Sequence, residues 1–107
     1  MNLDYSILNK LGKEFNDNAV AHGFWENPNK GERIALMHSE LSEALEAVRK
    51  PGPDDKCPEF SAEVVELADA VIRILDYCEY YGLPIGDAVL AKHTYNVKRP
   101  YKHGKAF

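Results

Sequence analysis

The chain is short of cysteine. Its 107 residues include two, Cys57 and Cys78. They form no CxxC pair, and their spacing suggests neither a disulfide framework nor a cysteine-based zinc site. The reading is a reduced cytosolic protein with Cys78 in the core and Cys57 in a loop. Long hydrophobic runs are missing too. Charges recur every few residues, so no stretch approaches the roughly 20 apolar residues of a membrane span. Met1-Asn2-Leu3-Asp4 lacks a basic region followed by an apolar run, so no secretory leader is expected. Nothing alternates at period two, which argues against half-buried strands. Repeats, low-complexity tracts and linkers are likewise absent. Acid is absent from one region: residues 92–107 carry Lys92, Lys98, Arg99, Lys102 and Lys105 with no Asp or Glu. Residues 1–91 therefore hold 8 basic and 17 acidic side chains, so a basic tail (92–107) follows an acidic body.

What remains describes one soluble domain over residues 1–107. At 45% hydrophobic and 28% charged, the chain can bury one core and is not disordered. Proline and glycine divide it into helix-length segments: Pro28 and Gly31, then Pro51 to Pro58, then Gly82 and Pro84, then Pro100 and Gly104. The first helix is expected over 4–21, capped by Asp4, with Leu3 and Leu8 as a hydrophobic staple and Gly23 as its stop. The second is expected over 31–50. Met37, Leu41, Ala44, Leu45 and Val48 form its apolar stripe, and Pro51 ends it. The third, over 60–81, has Ser61 as its cap and Val64, Leu67, Ala68, Val71, Ile72 and Leu75 as a broad apolar face. The fourth begins near Pro84 and fades before Pro100. The fold class is all-α, a four-helix bundle-like single domain with helices two and three antiparallel.

Two acidic motifs stand out: Glu40-x-x-Glu43 on the second helix and Glu66-x-x-Asp69 on the third. Side chains three apart are neighbours on a helix, so each motif presents two carboxylates together. An antiparallel pair can bring the motifs face to face. Asp76 lies on the same side, two turns beyond Asp69. Four carboxylates at a helix seam repel one another, and a hard divalent cation such as Mg²⁺ removes the conflict. The other reading of such acids is a solvated helix face. Glu14, Glu46, Glu59 and Glu79 are read as ordinary surface charge.

Glu40-x-x-Glu43, 22 residues, then Glu66-x-x-Asp69 resembles the signature of the all-α nucleoside triphosphate pyrophosphohydrolases. The stretches His38–Ala47 and Glu66–Asp76, with the tail Lys92-x-x-x-Asn96-x-x-Arg99-Pro100-x-x-His103-Gly104, look most like small single-domain MazG-like proteins of bacteria and phages. Many MazG proteins carry a doublet, EExxE, at the first motif. Here the residue before Glu40 is Ser39, one acid fewer, and Asp76 could supply an outer ligand or hold a water.

The resemblance implies cleavage of a (deoxy)nucleoside triphosphate, with (d)GTP as a candidate substrate, between its α and β phosphates to give a nucleoside monophosphate and pyrophosphate. Glu40, Glu43, Glu66 and Asp69 would hold one or two Mg²⁺, with Mn²⁺ as a substitute. An activated water would attack the α-phosphorus, with Glu40 or Glu43 as base. Lys92 and Arg99 are suited to phosphate, Asn96 to a phosphate or sugar oxygen, and Tyr95 to stacking or hydrogen bonding. Phe24 or Trp25 is a candidate for base stacking, the alternative being that both plug the bundle end or a subunit interface. His38 faces either the site or the core. The resemblance also implies a homodimer or homotetramer, with Tyr77, Tyr80 and Tyr81 as interface candidates. Other readings are a related enzyme acting on dUTP or phosphoribosyl-ATP, and a non-catalytic helical module gripping a basic partner or nucleic acid. The acidic body weighs against nucleic acid.

Overall fold

A computed structural model describes residues 4–106, with the side chain of His103 excepted. The staple expected between Leu3 and Leu8 falls outside them. Four helices follow one another: α1 (Ser6–Ala21), α2 (Lys30–Arg49), α3 (Ala62–Tyr80) and α4 (Ile85–Val97). A short 3₁₀ turn, Tyr101–Gly104, follows Pro100 and was not foreseen. The all-α expectation holds, and no strand occurs among the described residues.

Local chemistry sets the helix ends. The N-cap of α1 is Tyr5 rather than the expected Asp4; Asp4 sits one residue earlier and accepts hydrogen bonds from the backbone N–H of Ser6, at 3.0 Å, and from its hydroxyl. Gly23, at φ +80°, closes it in a region open to glycine. Its N–H reaches the Val20 carbonyl and the Phe24 N–H reaches that of Ala19, a Schellman ending that fixes the backbone of Phe24. Asn29 caps α2 by accepting from the Glu32 N–H at 3.0 Å, and Ser61 caps α3 by accepting from Val64 at 3.2 Å. Gly82, at φ +66°, ends α3 in the same way as Gly23 ends α1.

The loop between α2 and α3 is closed on itself. Asp54 donates to the Phe60 carbonyl, Ala62 donates to that of Gly52, and Pro53 and Ser61 form an isolated bridge. The Asp54 side chain is buried and accepts from the N–H groups of Lys56 and Cys57 at 2.9 and 2.8 Å.

The lateral order of the helices is α2, α3, α1, α4. α3 packs against both α1 and α2, whereas α4 leans on α1. Where α4 meets α1 the backbones nearly touch. The Gly86 N–H donates to Asn9 Oδ1 at 2.9 Å, and a Cβ at Gly86 would lie 2.3 Å from the Tyr5 carbonyl oxygen. The core is thin and made largely of small side chains, with Ala19, Ala44, Ala70, Leu75 and Cys78 around a single large residue, Trp25. Cys78 is buried and Cys57 exposed, as expected, and neither is paired.

Much of the anticipated apolar surface stays uncovered. Ile34, Leu41, Leu45 and Val48 on α2 and Val64, Leu67, Val71 and Ile74 on α3 are all exposed. At 100° per residue these two stripes share one side of the antiparallel pair, and the ExxE and ExxD carboxylates lie on the other. The radius of gyration is 16.2 Å, against about 13 Å for a compact chain of this length. Among the described residues no helix is long and apolar enough to cross a membrane.

Gly86→Ala should lower unfolding stability in urea by about 1–3 kcal/mol, because backbone must move to admit the methyl group. Gly52→Ala, which meets nothing within 4 Å, should stay within about 0.5 kcal/mol of the parent.

Candidate metal centre and its groove

α2 and α3 run antiparallel, and three of the four motif acids converge, with Asp69 outside the trio. One carboxylate oxygen from each of Glu40, Glu43 and Glu66 lies within 4.8 Å of the others. Glu40 is buried, and its Oε1 accepts from Arg73 Nε at 2.9 Å. Glu66 Oε2 is enclosed and has no hydrogen-bond partner. That is the expected fate of an acceptor facing other acceptors: ionised carboxylates cannot bond to one another. A proton or a cation must come between them.

The electrostatics follow from this crowding. A hydrogen bond shared with the Glu43 carboxyl, then burial, then a bond shared with Glu40 push Glu66 up to about 7. Each such bond needs a proton on one of the two carboxyls it joins. Burial, followed by the Glu40 charge, also raises Asp69. Arg73 opposes this, and the Asp54 and Glu43 charges add to the rise. The closed α2–α3 loop thus brings a further carboxylate, Asp54, into the electrostatic field of the motif.

Because α1 and α2 both pack on α3, a groove remains between them with α3 as its floor. It contains a cavity of about 340 Å³. At one end are Glu40 and Asp69. Phe15, Phe24 and Ile72 line it elsewhere, together with Asn18 and Asp76. Arg33 and Arg73 border both this cavity and an adjoining one of about 430 Å³. The first volume falls in the range usual for small-molecule sites.

The other candidates are dispersed. Asp76 reaches the cavity, but it accepts from Asn16 Nδ2 at 2.9 Å and from Trp25 Nε1 at 3.0 Å. Trp25 is buried, with Tyr80 stacked on it at 3.9 Å and the Arg33 guanidinium 4.5 Å from its ring centre. Its ring therefore packs the bundle end, while Phe24, 60% exposed, lies at the cavity. Tyr80 and Tyr81 belong to the packing around Trp25. His38 is exposed on α2 and does not line the cavity. Lys92, Tyr95, Asn96 and Arg99 also lie away from its lining. Lys92 and Arg99 gather around the Tyr95 ring, 4.9 and 5.6 Å from its centre, on or just beyond the helix that leans on α1.

The two groove arginines were not anticipated. Arg73 is four residues past Asp69 and Arg33 seven before Glu40, so helical spacing already placed each on the face of its motif. Phe15, Asn16 and Asn18 were missed because nothing local distinguishes them. Asp54 depends on how its loop closes.

The raised Glu66 gives a pH signature. Its folded value of about 7 exceeds the ordinary 4.5, so the folded state binds the proton more tightly. This stabilisation is complete below about 4.5 and is lost as pH rises toward 7. Metal-free protein should show a falling denaturant midpoint between pH 5 and 8, and Glu66→Gln should flatten that fall.

No family model, curated protein or solved structure matches this chain.

Proposed function

We propose that the groove is a nucleoside triphosphate pyrophosphohydrolase site that uses Mg²⁺, with Mn²⁺ as a substitute. The observation that carries this reading is the meeting of one oxygen each from Glu40, Glu43 and Glu66, beside the finding that Glu66 Oε2 is enclosed without a hydrogen-bond partner among the described residues. An all-carboxylate donor set suits a hard dication that keeps part of its shell for water and phosphate. Glu40, Glu43 and Glu66 would hold it, with Asp69 beside them. Bound there, the ion would neutralise triphosphate charge and make a water easier to deprotonate.

The protein's own groups do the rest. Arg73 fixes Glu40 through their 2.9 Å bond. Glu43 is exposed and makes no ion pair among the described residues, whereas Glu40 is paired with Arg73, which favours Glu43 over Glu40 as the base for the water attacking the α-phosphorus. The enclosed wall at Glu66 and Asp69 strengthens local fields. The products are a nucleoside monophosphate and pyrophosphate. Phe24, rather than the buried Trp25, is the aromatic group available to a base.

The working form is a homodimer or homotetramer. The chain exposes 8011 Å², against about 6,000 Å² for a compact monomer of its mass. The excess is larger than the roughly 800 Å² per partner of a standard interface. The uncovered α2–α3 stripe supplies apolar area of the right kind. A second copy would also offer a route for the basic cluster at Lys92 and Arg99 to reach phosphates bound at the acids.

Pyrophosphate release should depend on Mg²⁺ across a panel of ribo- and deoxynucleoside triphosphates, with dUTP and phosphoribosyl-ATP as arms that identify a related enzyme. Glu43→Gln should abolish release while leaving far-UV helix content unchanged. Full activity in that variant would remove the assignment. Absence of both Mg²⁺ uptake and release would favour a non-catalytic module. Sedimentation at micromolar concentration should show an oligomer, and Leu45→Asp should shift it toward monomer.

A further inference from the structure

The cavity at the acids adjoins a second one, and among the described residues no lysine lines either. Their positive charge comes from Arg33 and Arg73, which border both. The antiparallel pair sets the order of these arginines along the groove. Arg73 is one turn beyond Asp69 on α3, and its Nε bond to Glu40 keeps it beside the acids. Arg33 is two turns before Glu40 on α2, about 10 Å by helix rise. The start of α2 and the end of α3 lie in the same direction, so a path leading away from the acids meets Arg73 first and Arg33 next. Arg33 is half-buried and held on two sides. One terminal nitrogen donates to the Phe24 carbonyl, and the guanidinium lies 4.5 Å from the centre of the Trp25 ring. Yet Arg33 forms no ion pair among the described residues, although Glu26 and Glu32 border the second cavity with it. Its Nε is enclosed without an acceptor, so water screens this charge less than that of a surface arginine.

We infer that Arg33 and Arg73 form an oxyanion subsite, filled by the two terminal phosphates of the substrate and then by the pyrophosphate they become. This rests on the triphosphate reading above and gives its leaving group to residues of the groove instead of the tail. A planar guanidinium presents a fork of donors that matches phosphate oxygens. The bond to Glu40 uses one donor of Arg73, and the bond to Phe24 uses one of Arg33. The other terminal N–H groups remain for a ligand. Arg33 is already fixed by a carbonyl and a ring, so it loses little freedom when an anion binds. A single carboxylate would occupy one guanidinium. Two arginines in succession suit an anion charged at two centres, which pyrophosphate is. Asp76 also borders the first cavity, but Trp25 and Asn16 donate to its oxygens. When water adds to the α-phosphorus, the bond from that atom to the bridging oxygen breaks. Its electron pair leaves on pyrophosphate, and the water's proton passes to Glu43. Arg73 and Arg33 stabilise the charge that develops there. No second copy of the chain is needed to bring a cation to these phosphates.

The test is titration of the full chain in EDTA with inorganic pyrophosphate at fixed ionic strength, which needs neither metal nor turnover. Calorimetry gives the affinity, and the emission of Trp25, whose ring the Arg33 guanidinium faces, should change with the same midpoint. Arg33→Gln should weaken binding about tenfold or more. Arg33→Lys keeps the charge without the fork and should fall between that variant and the parent. If Arg33→Gln fails to fold by far-UV helix content, Arg33→Lys carries the test, and parent-like affinity in it overturns the inference. Lys30→Gln removes a cation that lies over Tyr81 and lines neither cavity, so affinity should change less than about twofold. No binding to the parent, equal losses in Arg33→Gln and Lys30→Gln, or a loss in Lys92→Gln with none in Arg33→Gln would each overturn the inference. Binding that depends on Arg33, with no pyrophosphate release from any triphosphate, would uphold the subsite and remove the catalytic reading. Mg²⁺-dependent release with KM unchanged in Arg33→Gln would do the reverse.

Discussion

Repulsion among carboxylates is the constraint around which the chain is organised. Glu40, Glu43 and Glu66 meet where α2 and α3 face each other. Packing those helices draws Glu40 out of water and all three acids toward one another, both unfavourable for charged groups. The structure answers in two ways. Arg73 neutralises Glu40, and Glu66 tends to keep a proton. Neither gives Glu66 Oε2 a partner. The proposed dication would replace both with one interaction.

α3 makes the site possible by carrying neighbours on two sides. The arrangement is an open row rather than a closed bundle, and the groove is the gap left between α1 and α2. The open row also explains the thin core. Alanines allow close approach at α2–α3, while the larger aliphatic side chains point away from it. The helix pair is therefore two-faced, with carboxylates on one side and an uncovered apolar stripe on the other.

Much of this was legible in sequence because helices leave periodic marks. Ser61, Gly23 and Pro51 bound their helices through local chemistry, and the observed ends fall within two residues of those expected for the first three. The acidic motifs were legible for the same reason, since i and i+3 must share a face. The groove was harder to read because its walls come from three separate helices. Trp25 shows the difficulty: a lone tryptophan beside a motif suits either a ligand or a core, and only its stack with Tyr80 and its bond to Asp76 decide in favour of the core. The exposed stripe marks another limit. Apolar periodicity shows which face seeks cover, but not whether cover comes from the same chain.

The bond between Trp25 and Asp76 has a practical consequence. The chain has one tryptophan, and its indole N–H donates to a carboxylate that lines the groove. Indole fluorescence responds to the charge next to its nitrogen. The molecule thus carries an intrinsic optical gauge at the far end of the cavity, one that needs no label and draws on a single emitter.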